Sequence, residues 1–265
     1  MSDSSAVTAI ILAGDRGPHD PVAAATGAPC KALAPVAGQR LVERVTQVLS
    51  QAPSIDALYL VGPTRAVLDK SPDGWASIKA TGATWIEPGT SPATSAAQAL
   101  KAIPVDQRIL LTSVDHALLR VAWVEQVIAE ASTFDFTAAV VAREALASAY
   151  PDARPTTIRL GPGAGFCTAN LFTVQGSKGR DLIARWRQFE AERKHPARYM
   201  GRLLGPVGTL AYLLGRLTLN SARQRLSQRL GMDLGISLID DAEAAIDVDS
   251  AADLALAEGL LSPSD

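Results

Sequence analysis

The stretch Ala6–Gly14, AVTAIILAG, decides the fold class. Its run of small and β-branched apolar residues is typical of a strand buried on both faces, and the glycine at its end indicates a turn. Similar apolar runs recur along the chain as far as Ala142, and helical patterns separate them. Strands that alternate with helices predict an α/β fold, a three-layer α/β/α sandwich with a mostly parallel sheet.

The predicted elements follow this alternation. The predicted strands are Ala6–Leu12, Ala57–Val61, Thr84–Ile86, Arg108–Val114, Phe136–Ala142, Thr156–Leu160, Thr168–Val174 and Ala245–Val248. The predicted helices are Leu41–Leu49, Ala96–Ala102, Val121–Ala131, Asp181–Arg193 and a broken helical stretch, Tyr199–Leu230. Ser250 is expected to cap a last helix together with Asp253. Gly14–Gly38 is expected to be a long loop, since it is rich in Gly, Pro and Ala.

The composition excludes several classes of protein. The chain has 265 residues, of which 48% are hydrophobic and 20% charged, and this excludes a disordered chain. A net charge of −2 gives no general attraction for nucleic acid, so no nucleic-acid partner is expected. Two cysteines, Cys30 and Cys167, cannot build a disulfide framework. The sequence shows no signal-peptide pattern and no apolar run long enough to span a bilayer, so a cytoplasmic location is expected.

The first candidate site is LAGDRGPHDPVAAATGAPCKALAPVAGQRLVERV, Leu12–Val45. A loop that follows a strand can present backbone N–H groups to phosphate oxygens, and Gly14 permits a close approach of the backbone. Lys31 supplies the positive charge that an anionic ligand requires. The segment lacks the Gly-Lys-Ser/Thr of a P-loop and the G-x-G-x-x-G of a dinucleotide-binding fold, so it represents neither motif.

This segment resembles the signature of nucleotidyltransferases with the MobA-like nucleoside-triphosphate-transferase fold, the group that includes the sugar-phosphate nucleotidyltransferases. The matching positions are Leu12-Ala13-Gly14, Lys31, Leu33, Pro35-Val36 and Gly38. Asp15 replaces the second glycine of the pattern, and Cys30 replaces the proline before the lysine. The resemblance implies a glycosyltransferase-A-like sheet. It assigns nucleotide binding to Leu12, Ala13, Gly14 and Asp15, and catalysis to Arg16 and Lys31.

Two acidic motifs are candidate metal sites. In ILLTSVDHALL, Asp115 follows a predicted strand, which places a carboxylate at the edge of the sheet, and His116 is a bystander. In AIDVDSAADLALAE, Asp247 and Asp249 alternate along a strand end, so at least one of them can point toward the cleft. The resemblance implies that Asp115 binds Mg²⁺ and takes part in catalysis, and that Asp249, or failing it Asp247, is the second metal ligand.

Two weaker segments resemble further parts of the same family. Pro88-Gly89-Thr90-Ser91, with Ser95, resembles the loop that contacts the base, which assigns nucleotide binding to Gly89, Thr90 and Ser95. Gly165–Leu171, GFCTANL, resembles the strand whose asparagine, here Asn170, faces the acceptor. The resemblance covers Ala6–Val174 and Ala245–Leu260.

Lys178–Arg229 is a basic segment in an otherwise acidic chain. It carries 12 Lys and Arg against 3 Asp and Glu, a net charge of +9, whereas the rest of the chain carries −11. We expect a helical basic insertion at about residues 178–231 within one domain that spans residues 1–265. The preferred interpretation is a set of helices packed on the core with a solvated basic face, or a contact between two copies of the chain. The alternative is a surface for anionic lipid at the inner membrane face, or for a lipid-like phosphorylated acceptor, with Lys194 and Arg198 as acceptor-binding residues.

The resemblance implies a magnesium-dependent nucleotidyltransferase. Such an enzyme transfers a nucleoside monophosphate from a nucleoside triphosphate to a phosphorylated acceptor and releases pyrophosphate. Two alternatives stay open at this point. One is a glycosyltransferase of the same fold that uses a nucleotide-sugar, and the other is a non-catalytic relative that binds nucleotide or membrane, which the departures at Asp15 and Cys30 favour.

Overall fold

The computed structural model describes residues 6–14, 19–153, 157–160, 165–192, 205–212, 214 and 216–262, with residues 159 and 187–192 described by their backbone alone. The strands are β1 Val7–Leu12, β2 Pro35–Val36, β3 Gln39–Arg40, β4 Ile55–Val61, β5 Thr84–Ile86, β6 Arg108–Ser113, β7 Phe136–Ala142, β8 Thr157–Arg159, β9 Gly165–Val174 and β10 Leu234–Leu238. The helices are α1 Pro21–Thr26, α2 Leu41–Gln51, α3 Arg65–Leu68, α4 Pro72–Ala80, α5 Pro92–Ala102, α6 Val121–Glu130, α7 Arg143–Ala149, α8 Gly176–Glu192, α9 205–212, α10 Leu219–Leu230 and α11 Ala251–Leu261.

One mixed sheet forms the middle layer of the fold. Its strands lie in the order β10-β7-β9-β6-β1-β4-β5, with β8 paired to β9. β9 is antiparallel to β6, β7 and β8, whereas the pairs β1–β4, β1–β6, β4–β5 and β7–β10 are parallel. The mostly parallel mixed sheet predicted from the sequence is therefore confirmed.

The two faces of β1 explain why its sequence is apolar throughout. Ala9 and Ile11 belong to a core cluster on one face of the sheet, to which α2, α6 and α11 contribute. Ile10 belongs to a second cluster on the other face, to which α5 and α8 contribute. A strand that is covered on both sides has no solvent-facing positions for polar residues, so its pattern is a continuous apolar run.

Four parallel strands end at the same edge of the sheet. Leu12, at the end of β1, pairs with Val61 at the end of β4 and with Ser113 at the end of β6. Val61 in turn pairs with Ile86, the last residue of β5. The loops that follow these strands therefore start side by side, and the residues that they carry can converge.

The prediction of a long loop at Gly14–Gly38 is wrong, because this stretch contains α1 and a 3₁₀ turn at Lys31–Leu33. The carboxylate of Asp20 accepts hydrogen bonds from the N–H groups of Val22 and Ala23, at 3.0 and 3.3 Å, and so caps α1. Gly27 ends the helix with φ +66°, a conformation that favours glycine. An Asp-Pro start and a Gly stop are sequence signals of a short helix.

Two other element predictions also need correction. The last strand is β10 at Leu234–Leu238, whereas Ala245–Val248 holds the end of a 3₁₀ turn and an extended segment outside the sheet. Helix α5 begins at Pro92, four residues before the predicted start, because Ser91 caps it by accepting from the N–H of Thr94. The predicted cap of the last helix is confirmed, since the Ser250 hydroxyl accepts from the N–H of Asp253.

Helices α8, α9 and α10 occupy most of the described part of the basic segment. One of its arginines, Arg180, makes hydrogen bonds within the fold. The guanidinium of Arg180, on α8, donates to the carbonyl oxygens of Leu100 and Ile103, each at 3.0 Å, and also to those of Pro104 and Gln107. Arg180 thereby pairs the carbonyl groups at and beyond the end of α5, which a helix terminus leaves without internal partners. Within the described residues, no helix has the length and apolarity needed to cross a membrane.

We predict that Arg180→Lys lowers the free energy of unfolding by about 2 kcal/mol, because a single ammonium cannot replace a guanidinium bonded to several carbonyls. Urea denaturation measures the change. Arg185→Lys is the matched control, since Arg185 is exposed on the same helix and should change stability little. Equal stability of the two variants would contradict the role of Arg180.

Candidate active site

Lys31 lies at the centre of the candidate site. It is the first residue of the 3₁₀ turn Lys31–Leu33, and only 10% of its side chain is exposed. Its Nζ donates to Oδ2 of Asp115 at 3.0 Å and to Oδ1 of Asp249 at 2.5 Å. Three residues that the sequence analysis selected from distant segments therefore meet in one cluster.

The two carboxylates keep the Lys31 ammonium charged. Burial by itself lowers the pKa of a lysine, but the nearby charges of Asp115 and Asp249 and their hydrogen bonds outweigh it, so the pKa of Lys31 is raised above its usual value. At neutral pH the group is a fixed cation. It can therefore stabilise negative charge, but it cannot act as a general base.

Backbone hydrogen bonds hold the two acidic motifs together. The N–H of Val114 donates to the carbonyl of Leu12 at 2.9 Å, which extends the pairing of β6 with β1 by one residue. The residue after Val114 is Asp115, and its backbone carbonyl accepts from the N–H of Val248 at 2.9 Å. The acidic motif that contains Asp247 and Asp249 is thus bonded to the end of β6, and this bond helps to place Asp249 within hydrogen-bonding distance of Lys31.

Asp247 lies in the same cluster and is held by Asn170. The side-chain amide of Asn170 donates to Oδ2 of Asp247 at 2.7 Å. Burial raises the pKa of the Asp247 carboxyl well above its usual range, and the neighbouring Asp115 carboxylate raises it further, while the hydrogen bond from Asn170 opposes the shift. Asn170 itself has φ +46°, a left-handed conformation that asparagine tolerates better than most residues.

The glycine turn after β1 is in close contact with the ends of the neighbouring strands. A Cβ on Gly62, which has φ +103°, would lie 2.8 Å from the carbonyl carbon and oxygen of Ala13 and 2.9 Å from the nitrogen of Gly14. On its other side, Gly14 faces Pro88, whose Cβ would be 3.7 Å from a Cβ on Gly14. The loop after β5 therefore lies against the turn after β1.

The predicted base-contacting loop has its own internal support. The hydroxyl of Ser95, which is buried on α5, accepts from the N–H of Gly89 at 3.0 Å. Thr90 is exposed, and Ser91 caps the start of α5. Ser95 thus holds the loop in place through its hydroxyl. Nucleotide binding by Gly89, Thr90 and Ser95, and by Leu12, Ala13 and Gly14, stays a prediction.

Four predicted site residues lie outside the described residues. They are Asp15, Arg16, Lys194 and Arg198. Acceptor binding by Asn170 also stays a prediction, although its amide is directed to Asp247.

The sequence analysis missed two features of the site. Gly62 is a site-forming residue, and its signal was a glycine directly after a buried strand, followed by Pro63. Asn170 was assigned to the acceptor, and no sequence signal indicated its contact with Asp247.

His116, the expected bystander, is fully buried and stacks on Trp123 with ring centroids 5.9 Å apart. Burial lowers the pKa of His116 to about 4, so the ring is neutral at pH 7.

The site offers carboxylate oxygens that a cation could use. Oδ1 of Asp115 and Oδ1 of Asp247 are buried and have no hydrogen-bond partner among the described residues. Such orphaned oxygens are the donor type that Mg²⁺ prefers. As the described side chains are placed, no three or more His, Cys, Asp or Glu residues form a metal-binding group. Mg²⁺ commonly takes only one or two protein carboxylates, with water and phosphate completing its shell.

Solved structures share this fold. A structure described as a hypothetical transferase from Thermus thermophilus has a TM-score of 0.75 and 26% identity, over 94% of this chain and 99% of that one. CMP:2-keto-3-deoxy-manno-octonic acid synthetase in complex with CTP gives 0.58 and 12%, over 97% of both chains. 4-Diphosphocytidyl-2C-methyl-D-erythritol synthase from Anaerococcus prevotii DSM 20548 gives 0.59 and 13%, over 98% of this chain and 97% of that one. The fold is thus that of α/β nucleotidyltransferases.

The sequence model of the MobA-like NTP transferase domain matches residues 9–229. Because the match spans most of the chain, the chain belongs to the MobA-like NTP transferase family and is a nucleotidyltransferase enzyme. A comparison with curated proteins gave no match. The resemblance inferred from the residues around Lys31 is confirmed.

We predict that two substitutions of Asn170 separate its hydrogen bond from its backbone conformation. Both Asn170→Gly and Asn170→Ala lose the donor to Asp247, which should cost about 1 kcal/mol of unfolding free energy. Alanine pays an additional cost of about 1 kcal/mol for the left-handed backbone, which glycine does not. Urea denaturation measures both differences. If the alanine and glycine variants are equally stable, the backbone assignment is wrong.

Proposed function

We propose that this chain is a magnesium-dependent nucleotidyltransferase that transfers a nucleoside monophosphate from a nucleoside triphosphate to a phosphorylated acceptor. The observation that carries the proposal is the ammonium of Lys31 between Asp115 and Asp249, at the sheet edge where the glycine turn after β1 begins. A fixed cation beside a glycine turn suits a polyphosphate, and carboxylates at the same place suit a divalent cation.

The reaction needs no covalent nucleophile from the protein. A phosphate oxygen of the acceptor attacks the α-phosphorus of the triphosphate and forms the new P–O bond. The bond from the α-phosphorus to the oxygen that bridges it to the β-phosphorus breaks, and pyrophosphate leaves with that electron pair. Catalysis of this kind depends on positioning and on neutralisation of charge.

Lys31 is proposed to neutralise charge on the phosphates. Its raised pKa keeps the ammonium protonated throughout the neutral range. The same cluster holds Lys31 in a defined position before any substrate arrives, so little side-chain entropy is lost on binding. Gly14 and Gly62 keep the turn free of side chains, so backbone N–H groups can approach the phosphates.

Asp115, Asp247 and Asp249 are the proposed holders of Mg²⁺. The unpartnered Oδ1 atoms of Asp115 and Asp247, which lack a hydrogen bond among the described residues, support this assignment. When bound, Mg²⁺ supplies positive charge to phosphate oxygens. In the proposed arrangement, Asn170 orients Asp247 through Oδ2 and leaves its Oδ1 available.

CTP is the first donor to test. The structural neighbours include a synthetase complexed with CTP and a cytidylyltransferase from Thermus thermophilus, which shares 18% identity with this chain. The proposed acceptor is a phosphate monoester of a sugar or of another alcohol, since an attacking phosphate oxygen is required. ATP, GTP and UTP complete the donor panel.

We predict that Lys31→Ala and Asp115→Ala each lower kcat/KM by about 10²–10³-fold, because each removes a preorganised charge from the site. Pyrophosphate release measures the activity, and circular dichroism monitors folding. Lys70→Ala and Asp56→Ala are matched controls, because both residues are exposed and lie in other parts of the fold. Near-normal turnover in a folded Lys31 or Asp115 variant would refute the proposal.

We also predict that Lys31→Met binds Mg²⁺ more tightly than the unchanged chain in the absence of nucleotide, by on the order of tenfold, although it loses activity. The ammonium lies within 3.0 Å of both carboxylates and competes with a second cation for them. Isothermal titration with MgCl₂ measures the affinity. Lys70→Met serves as the control, and unchanged affinity in Lys31→Met would show that the metal does not bind at these carboxylates.

A further inference from the structure

Helix α9, at residues 205–212, has apolar residues both where it packs on the protein and where it is exposed. Ala211 and Tyr212 pack against a small core cluster formed by Leu160, Leu217 and Ala222. Val207 and Leu210 are exposed, and so is Leu214, which follows shortly after the helix. These three residues are among the most exposed large apolar side chains of the described chain, and Val207 is 64% exposed.

The three exposed residues, called the aliphatic row, lie close together in the sequence. Val207 and Leu210 are three residues apart, which places them on the same face of α9, and Leu214 lies in a turn just beyond the helix. A surface helix normally turns polar residues outward, whereas this one exposes aliphatic residues. A group of exposed aliphatic residues of this kind marks a contact surface.

The charged residues in the segment that carries this row have a single sign. Residues 205–230 contain four arginines and no aspartate or glutamate. The guanidinium of Arg229 lies beside Gly205 at the start of α9, and the exposed Arg216 lies just beyond Leu214. The exposed Arg216 therefore lies close to the aliphatic row, and residues 205–230 contain no carboxylate side chain.

We propose that Val207, Leu210 and Leu214, together with Arg216, form a surface that docks on an anionic lipid membrane. Aliphatic side chains beside an exposed arginine, in a segment without carboxylate side chains, match an interface in which acyl chains lie beneath anionic headgroups. A two-fold contact between copies of the chain would bring two such basic segments against each other, which like-charge repulsion opposes. The charge therefore favours lipid over a second copy.

The docking surface lies at the edge of the sheet that carries the candidate active site. The cluster beneath α9 includes Phe166, which pairs with Ala142, the last residue of the parallel strand β7. Asp115 follows the end of β6 at the same edge. Docking would therefore hold the active-site edge near the lipid surface, where a phosphorylated acceptor carried by a lipid is accessible.

Vesicle co-sedimentation of the full chain tests the proposal. The vesicles contain either phosphatidylcholine alone or phosphatidylcholine with about one third phosphatidylglycerol. We expect binding to the anionic vesicles only, and weaker binding as the salt concentration rises, because each arginine near such a surface contributes about fivefold to partitioning.

Two variants with matched controls locate the surface. Val207→Gln combined with Leu210→Gln should weaken binding at least tenfold, since it removes apolar side chains without a change of charge. Val105→Gln is the control, because Val105 is 65% exposed in the loop after α5 and should leave binding unchanged. Arg216→Gln should weaken binding about fivefold, whereas Lys101→Gln, on the exposed face of α5, should not.

Three outcomes would overturn the proposal. They are absence of binding to anionic vesicles, binding that the Val207–Leu210 double variant leaves unchanged, and a dimer in light scattering that this variant dissociates while lipid binding is absent. The last outcome would assign the surface to a second copy of the chain. Vesicle binding is measured without substrates, so its result is independent of the nucleotidyltransfer assay.

Discussion

A buried ammonium group is the constraint on which the site depends. Lys31 has lost most of its hydration, and a buried cation is stable only when opposite charges and hydrogen bonds replace the lost water. The replacement comes from Asp115 and Asp249, which are 84 and 218 residues away along the chain. The fold must therefore deliver the end of β6 and the segment before α11 to the same place, and both are fastened there by backbone bonds.

The two carboxylates are not equivalent partners. Asp249 is 69% exposed at its side chain, so solvent screens its attraction for Lys31, whereas Asp115 is largely buried and acts through a lower local dielectric. Asp247 is buried beside them and depends on Asn170 for a hydrogen bond. The cluster thus contains a largely buried pair, Lys31 and Asp115, an exposed carboxylate, Asp249, and a buried third carboxylate, Asp247. One oxygen of Asp247 has no hydrogen-bond partner among the described residues.

Local patterns predicted the framework of this arrangement, and contacts between distant segments escaped them. Strand β1 and the position of Asp115 after β6 could be predicted, because each depends on a pattern of consecutive residues. β10 was missed because Gly235 interrupts its apolar pattern; the glycine is required there, since a Cβ would lie 2.4 Å from the ring of Phe134. Lys31, Asp115 and Asp249 were each selected from the sequence, but their contact with one another was not predicted, because only tertiary structure brings these three residues together.

The basic segment shows that a count of charges along the sequence does not predict which of them lie free on the surface. Its net charge of +9 suggested a solvated basic face, yet Arg180 donates to carbonyls around the end of α5, and Arg223 donates to the carbonyl of Leu234 at 3.0 Å. These arginines satisfy backbone acceptors and hold the segment onto the sheet. Because Arg180 and Arg223 make these bonds, they hold α8 and α10 against the rest of the fold. Some arginines of the segment therefore stabilise its structure, and exposed ones such as Arg216 give its surface a positive charge.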